Sequence, residues 1–429
     1  MKRPDVGLGD GATDHQAQDR EAVDYEAAVR ALGERGRFGI RLGLGRTRAL
    51  LRELGNPERA FRGALIAGTN GKGSVLALAS SALRAAGLRV GDTPKPHLVS
   101  YRERLQVDGR PVDAATFARL VREVLPAADR VARRHGEPTE FELLTAVIFR
   151  WFAEVGLDVA VVEVGLGGRL DATHAWDGGV AVVTNVALDH MAQLGDTIPK
   201  IAREKAAIIE RGDLAVTGAR NEALPVIRRR ARRMGAPLTE VPPAPLLGWD
   251  GDGIDVELPR LGRTRVALRG RHQAENVAVA DATLDALEAA GIATVPAEAR
   301  RRGYGAARWP GRLERLRVAG RDVLLDGAHN PAGAATLAQA LDDLRPFLAP
   351  GPITMVMGAM ADKDVDGVVA ALARSGALRG ARIIATQVDT PRALPAEALA
   401  ARWCGALAGA RVEAVPSVAD ALDRALDAA

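Results

Sequence analysis

From about Ala64 onward, apolar residues alternate between short continuous runs and spaced stripes. Ala64–Ala67 is such a run, followed by a Gly-rich turn and a helical pattern over Lys72–Ala86. Val112–Arg134 and Phe141–Val155 place apolar residues at helical spacing. Asp158–Val164 (DVAVVEV) and Val180–Val186 (VAVVTNV) are apolar with little alternation, as expected of strands covered on both faces, and Leu214–Thr217 is a third such run. Ile254–Leu268 alternates like an edge hairpin, and Gln273–Ala290 reads as a long Ala-rich helix. Strand followed by helix, repeated, predicts a parallel sheet between helical layers.

A second series starts after Ala297–Gly311, a stretch rich in Arg, Gly and small residues that contains Trp309-Pro310-Gly311. Its expected strands are Asp322–Leu325, Ile353–Met357, Arg382–Thr386 and Arg411–Ala414, again alternating with helices. The expected class is α/β, with two parallel sheets in two domains. A chain of 429 residues has room for both. Residues 1–20, polar and rich in Gly and Asp, read as a disordered tail. The first domain is expected over 21–296, a linker over 297–311, and a smaller second domain over 312–429.

Composition removes several classes. Lys+Arg 58 against Asp+Glu 54 leaves +4, with no long run of like charge. Without a basic stripe and interleaved aromatics, a nucleic-acid partner is not expected. No apolar stretch is long enough for a membrane span, and the N-terminus lacks the apolar segment of a secretory signal. The expected setting is the cytoplasm. The single cysteine, Cys404, is assigned to helix packing with Ala400, Trp403 and Leu407. Lysine is scarce: Lys2, Lys72, Lys95, Lys200, Lys205 and Lys363 are the whole set. Arg serves wherever a generic cation will do, so each Lys stands out.

After the first apolar run comes Gly68-Thr69-Asn70-Gly71-Lys72-Gly73-Ser74. A strand, a Gly-rich turn and a helix N-terminus make a phosphate cradle, because backbone N–H groups and the helix dipole face the anion and a Lys reaches the terminal phosphates. The general P-loop carries an earlier Gly where this chain has Ile66, and Gly73 separates Lys72 from Ser74, so the common NTPase pattern is not met. A nucleotide is the expected ligand of this loop; its resemblance to a known family implies ATP, with a P-loop ATPase-like first domain and a Rossmann-like second.

GTNGKGS resembles the ATP loop of the Mur-ligase superfamily, and specifically that of the dihydrofolate synthase/folylpolyglutamate synthase family. Further segments agree in order and spacing: Pro96-His97-Leu98, Phe141-Glu142, the run from Glu163 to Thr173 (EVGLGGRLDAT), Thr184-Asn185, Asp189-His190, Glu204-Lys205, His272-Gln273 with Asn276, Pro310-Gly311-Arg312, and Asp326 to Pro331 (DGAHNP). The similarity runs from about Arg37 into the C-terminal region. It implies ATP-dependent joining of L-glutamate to dihydropteroate or to a folate, in a monomer.

Joining a carboxylate to an amine with ATP passes through an acyl phosphate, and positioning and charge neutralisation, usually with Mg²⁺, carry most of the catalysis. Glu163 ends an apolar strand, where α/β sheets place ligands, so it reads as a Mg²⁺ ligand, or else as a partner of Arg169. Ile201, Lys205 and Ile208 share a helix face, so Lys205 lies on an apolar stripe. Desolvation lowers a Lys pKa, and a neutral amine can react with CO2. The resemblance implies His190 as a second Mg²⁺ ligand and a carbamylated Lys205 as a third, the plain alternative being a snorkelling Lys205. It also implies a pterin end near Thr139, Phe141, Asp171 and Ala172, with Asn276, Arg312 and Asp326 clamping ATP and His329 facing glutamate or phosphate. One departure concerns Lys95, where the family usually has Ser near Mg²⁺. A protonated Lys cannot ligate a metal, so Lys95 is expected on phosphate oxygens, with water, Ser74 or Thr93 completing the shell. His174 and Ala207 also depart, from Asn and Gly.

Two rivals remain at this point. A peptidoglycan-type ligase carries a sugar-nucleotide domain before the ATP loop, and Gly68 comes too early for one. A P-loop NTPase switch needs neither a second α/β domain nor a Lys on an apolar helix face.

Overall fold

A computed structural model describes residues 11–36, 41–407 and 409–428. Its helices are α1 (Gly11–Gly36), α2 (Gly45–Glu53), α3 (Lys72–Ala85), α4 (Ala114–His135), α5 (Glu140–Val155), α6 (Met191–Leu194), α7 (Ile198–Ala206), α8 (Leu224–Met234), α9 (Gln273–Ala289), α10 (Ala297–Ala306), α11 (Pro331–Leu344), α12 (Val365–Leu372), α13 (Ala396–Trp403) and α14 (Val418–Ala428). Strands β1 (Gly63–Ala67), β2 (Val90–Thr93), β3 (Gln106–Val107), β4 (Arg110–Pro111), β5 (Val159–Glu163), β6 (Gly179–Val183), β7 (Leu214–Thr217) and β8 (Leu238–Glu240) form one sheet, in the order β4-β3-β2-β5-β1-β6-β7-β8. From β2 to β8 the neighbours are parallel; β3 and β4 add an antiparallel edge.

Both faces of this sheet are covered, which is why its strands lack alternation. Leu65, Ala160, Val162, Ala181 and Val183 pack into a core with α1, α2, α4 and α5. Ala64, Ile66, Val159, Val161, Val180 and Val182 point the other way, into a second core with α3, α9 and α10. The presumed edge hairpin is a separate antiparallel sheet instead. β9 (Leu246–Asp250), β10 (Gly253–Leu258) and β11 (Gly262–Val266) pair in the order β11-β10-β9, and Ile254, Val256 and Val266 are drawn into the second core.

Three further expectations need correction. Residues 1–10 of the presumed tail lie outside the described residues, but from Gly11 the chain is helical. Sparse apolar positions suffice to seat α1: Ala28 and Leu32 are buried, and the Tyr25 ring lies 5.3 Å from that of Phe117 on α4. Second, most of the presumed linker is α10, fixed to the first domain. Ser81 Oγ donates to Gly303 O at 2.8 Å, a Cβ on Gly303 would collide with the Ala82 backbone, and Tyr304 Oη donates to Asp281 at 2.8 Å. The small residues there serve close helix contact, and the crossing shrinks to about 307–313. Third, Cys404 is exposed at the end of α13, while its neighbour Trp403 is fully buried.

In the second domain β14 (Thr354–Met357), β15 (Arg382–Ala385) and β16 (Arg411–Ala414) form a parallel sheet. The run expected as its first strand, β13 (Arg321–Leu325), pairs antiparallel with β12 (Glu314–Val318). Arg315 and Arg317 both reach Asp322 at 3.1 Å across that ribbon, which fixes its register. Ile383 and Ala385 pack toward α11, α12 and α13, whereas Ile384 faces Ala421 of α14.

Candidate functional site

The C-terminal ends of β1, β5 and β6 meet the second domain at a cavity of about 440 Å³. It is lined by the loop Gly68–Ser74 together with Lys95, Glu163, His190, Lys205, Asn276, Arg312, Asp326 and His329, among others. Residues from both domains, far apart in sequence, thus surround one space.

The loop is held from beneath by the segment after β6. Thr69 N donates to Asn185 O at 3.0 Å, Asn70 N to Asn185 Oδ1 at 2.9 Å, and Thr184 Oγ1 to Asn70 O at 2.7 Å. Gly71 has φ 81° and a Cβ there would collide with Asn276 Oδ1, so the turn into α3 requires glycine. At Gly73 the would-be Cβ meets the Trp309 ring, which ties the start of α3 to the interdomain crossing. The first N–H groups of α3 are the natural seat for an anion. Lys72 Nζ donates to Thr69 O at 3.1 Å and lies 3.9 Å from Glu163 Oε1.

Glu163 ends β5 and is 4% exposed. Its N–H donates to Thr93 Oγ1 at 3.2 Å and its Oε2 accepts from Lys95 N at 3.1 Å. Burial pushes its carboxyl pKa up, against the pull of Lys72 and Lys95. It does not pair with Arg169, which reaches Glu204 at 2.9 Å. Lys95 Nζ donates to Glu163 O at 2.5 Å and sits 4.5 Å from the centre of the Phe141 ring. Burial lowers its pKa to about 8. Lys205, 4% exposed on the inner face of α7, donates to Gly68 O at 2.8 Å, and burial with Lys72 nearby brings it down to about 7. The amine is thus held near the range where its neutral form is abundant.

His190 adopts a left-handed backbone, φ 49°, and burial lowers its pKa toward the neutral ring. Its neighbour Asp189 is the hub between the domains. Lys363 Nζ donates to Asp189 Oδ1 at 2.7 Å and lies 3.3 Å from His190 Nε2, Asn330 Nδ2 donates to Asp189 Oδ2 at 3.1 Å, and His329 Nε2 lies 3.5 Å from it. Burial alone would raise Asp189, but His329 and Lys363 outweigh it and hold the carboxyl well below the usual range. Asp326 accepts from Leu313 N at 3.0 Å and Ala328 N at 2.9 Å, and shares the cavity lining with Arg312.

Four expected substrate residues stand apart from this cavity. Thr139 is consumed as the N-cap of α5 in a reciprocal pair with Glu142. Asp171 accepts from Gly165 N at 3.0 Å, Leu166 N at 2.8 Å, Thr173 N at 3.0 Å and Thr173 Oγ1 at 2.5 Å, so its carboxylate closes its own loop. Ala172 is buried beside it, and half-buried Phe141 forms the floor under Lys95. Thr93 is fully buried behind Glu163, so only Ser74 of the two expected shell hydroxyls reaches the cavity. Sequence reasoning left Lys363, Asp189 and Asn330 without a role. Lys363 was at hand as a scarce Lys, but nothing local tells that it crosses between domains.

Among the described residues no group of three or more His, Cys, Asp or Glu is arranged to hold a metal. Glu163 and His190 offer a carboxylate and a neutral imidazole to one cavity, a donor set compatible with Mg²⁺, which takes few protein ligands. A third protein oxygen at Lys205 would require its carbamate. No helix among the described residues is long and apolar enough to cross a membrane.

Residues 311–429 match the family model described as Mur ligase, glutamate ligase domain. The dihydrofolate synthase/folylpolyglutamate synthase of Bacillus subtilis is 36% identical over 355 residues, 80% of this chain and 82% of that protein. The structure of the Mycobacterium tuberculosis folylpolyglutamate synthase complexed with ADP and AMPPCP superposes with TM-score 0.85 at 34% identity, covering 95% of this chain and 92% of the other. A bifunctional folylpolyglutamate synthase/dihydrofolate synthase with Mn, AMPPNP and L-glutamate bound gives TM-score 0.78 at 30% identity, covering 94% and 92%.

Proposed function

The chain belongs to the dihydrofolate synthase/folylpolyglutamate synthase family of Mur ligases and is an ATP-dependent glutamate ligase of folate metabolism; from this premise we propose that it accepts both dihydropteroate and folates as the carboxylate partner. The observation that carries the ligase chemistry is the shared cavity, in which the phosphate loop and Glu163 of one domain face Arg312, Asp326 and His329 of the other, and the dual acceptor range is proposed from relatives whose names join both activities. A nucleotide switch has no use for a second domain built into the phosphate site.

In the proposed reaction, a carboxylate oxygen of the acceptor forms a bond to the γ-phosphorus of ATP, and the bridging bond breaks with its electron pair leaving on ADP. The ammonium of glutamate then loses a proton, its nitrogen attacks the acyl carbon, and phosphate leaves, taking the second proton as the amide forms. The loop Gly68–Ser74 holds the phosphates by its N–H groups and Lys72, while Arg312 and Asp326 close over the nucleotide with Asn276. Glu163, His190 and a carbamylated Lys205 would hold Mg²⁺, which when bound neutralises phosphate charge facing the acceptor. His329, exposed on the second domain, faces the incoming glutamate. The enzyme works as a cytoplasmic monomer.

The test supplies purified protein with ATP, Mg²⁺ and glutamate, and offers dihydropteroate and tetrahydrofolate in separate reactions. Mass spectra should reveal a glutamate added to each. Nucleotide hydrolysis that ignores glutamate would refute the ligase reading for this chain, and product from only one acceptor would refute the dual one.

A further inference from the structure

Lys95 sits where two parts of the molecule meet. It lines the cavity with Lys72 and the phosphate loop, yet its ammonium lies over the Phe141 ring, outside that lining. Three features fix it there: the backbone N–H on Glu163 Oε2, the ammonium on Glu163 O, and the ring face beneath. Among the described residues its Nζ has no ion-pair partner, although it is only 9% exposed. By contrast, Lys72 faces the Glu163 carboxylate and Lys363 faces Asp189. The carboxylates of Asp171 and Glu163 attract it from beyond ion-pair distance, and a buried cation with no anion in contact is costly unless a ligand brings one. An ammonium has three donors, and the Glu163 carbonyl and the Phe141 ring occupy two directions, which leaves one for that anion.

We propose that Lys95 receives the acceptor's carboxylate, the group that becomes phosphorylated, and sets it between the Phe141 floor and the γ-phosphate held by Lys72. This rests on the ligase reading above. It also moves Lys95 from the phosphate oxygens, where sequence reasoning put it, to the carboxylate that attacks them. During phosphoryl transfer Lys95 keeps its protons. Its attraction is to the negative carboxylate, so it orients the nucleophile without becoming the proton carrier.

The experiment measures binding of pteroate and of its carboxamide by calorimetry to native protein, Lys95→Met and Lys95→Ser, without nucleotide, and then the kinetics of ligation. Native protein should prefer the carboxylate about tenfold or more, and both variants should lose that preference. In the kinetics, KM for the carboxylate acceptor should rise about tenfold, while nucleotide affinity stays within about threefold. Variants that weaken carboxylate and carboxamide alike would make Lys95 a packing residue and overturn the assignment. So would a change confined to nucleotide or Mg²⁺ dependence, which would return it to the phosphates. The native comparison needs no variant: native protein that ligates glutamate but binds both ligands equally sinks the Lys95 assignment alone. Native protein that ligates glutamate to no acceptor sinks the reading beneath it as well.

Discussion

Replacing Lys205 should separate activity from stability. The side chain is 4% exposed and its pKa is pulled down from 10.5 to about 7, mainly by burial. That difference corresponds to a cost on the order of 4 kcal/mol for keeping the charged form in place. Lys205→Ala removes this cost and, in exchange, strips Gly68 O of its donor at 2.8 Å, a loss of about 1–3 kcal/mol. The first exceeds the second by about 1–3 kcal/mol, so the Ala variant should melt no lower than native protein and within a few degrees of it. Turnover should fall by about 10²–10³, the usual consequence of removing one group that stabilises developing charge at a reaction centre. Lys205→Arg keeps a cation but cannot form a carbamate, and its bulk does not suit a buried site. It should be no more active than Ala and should melt lower. Acetate, entering the gap in the Ala variant, should restore part of the rate, whereas chloride at equal ionic strength should not. The assay is steady-state ADP release with glutamate and acceptor, alongside scanning calorimetry. Native-like turnover by the Arg variant would refute the carbamate, and a large fall in melting temperature for Ala would make Lys205 a structural residue.

Lys72→Ala should abolish ligation with an unchanged melting profile; near-native product formation in the mass-spectrometric assay would remove Lys72 from the ATP site. Gly71→Ala places a methyl on a residue at φ 81° and against Asn276, so nucleotide affinity measured by titration should drop at least about tenfold. Lys363→Met breaks the contact to Asp189 and should cost about 1–3 kcal/mol in denaturant melts, with less than additive loss when combined with Asp189→Asn. His272 is held by burial at about 4, below its ordinary 6.5, so the unfolded chain takes up the proton first as pH falls. The associated stability is present above pH 6.5 and lost toward pH 4, and His272→Gln should flatten the melting temperature over that interval, by on the order of 3 kcal/mol.

The strands that carry the site were legible because doubly covered parallel strands have no polar face; Ile66 and Leu65 point to opposite cores, and both must be apolar. The phosphate loop was legible for a similar local reason, since its glycines answer to backbone geometry within a few residues. What escaped detection depends on distant partners. α10 looked like a linker because the small residues that let Gly303 approach Ala82 are also those of a flexible tether. Asp171 looked like a ligand acceptor because nothing in its spacing tells that four donors of its own loop already reach it. Lys363 could not be placed, as its partner Asp189 lies across the domain boundary.

The loop from Gly165 to Thr173 is knotted to the Asp171 carboxylate, whereas Leu98 and Val99, at the foot of the Lys95 segment, are 56% and 91% exposed. The first segment is thus preorganised and would lose little entropy on meeting a ligand; the second has apolar side chains open to water and free to be exchanged. Leu98 and Val99 lie outside the cavity lining, so substitutions there should leave the phosphate loop undisturbed. Rigidity and tolerance are therefore divided between two segments of the first domain, and sequence variation should accumulate on the exposed one.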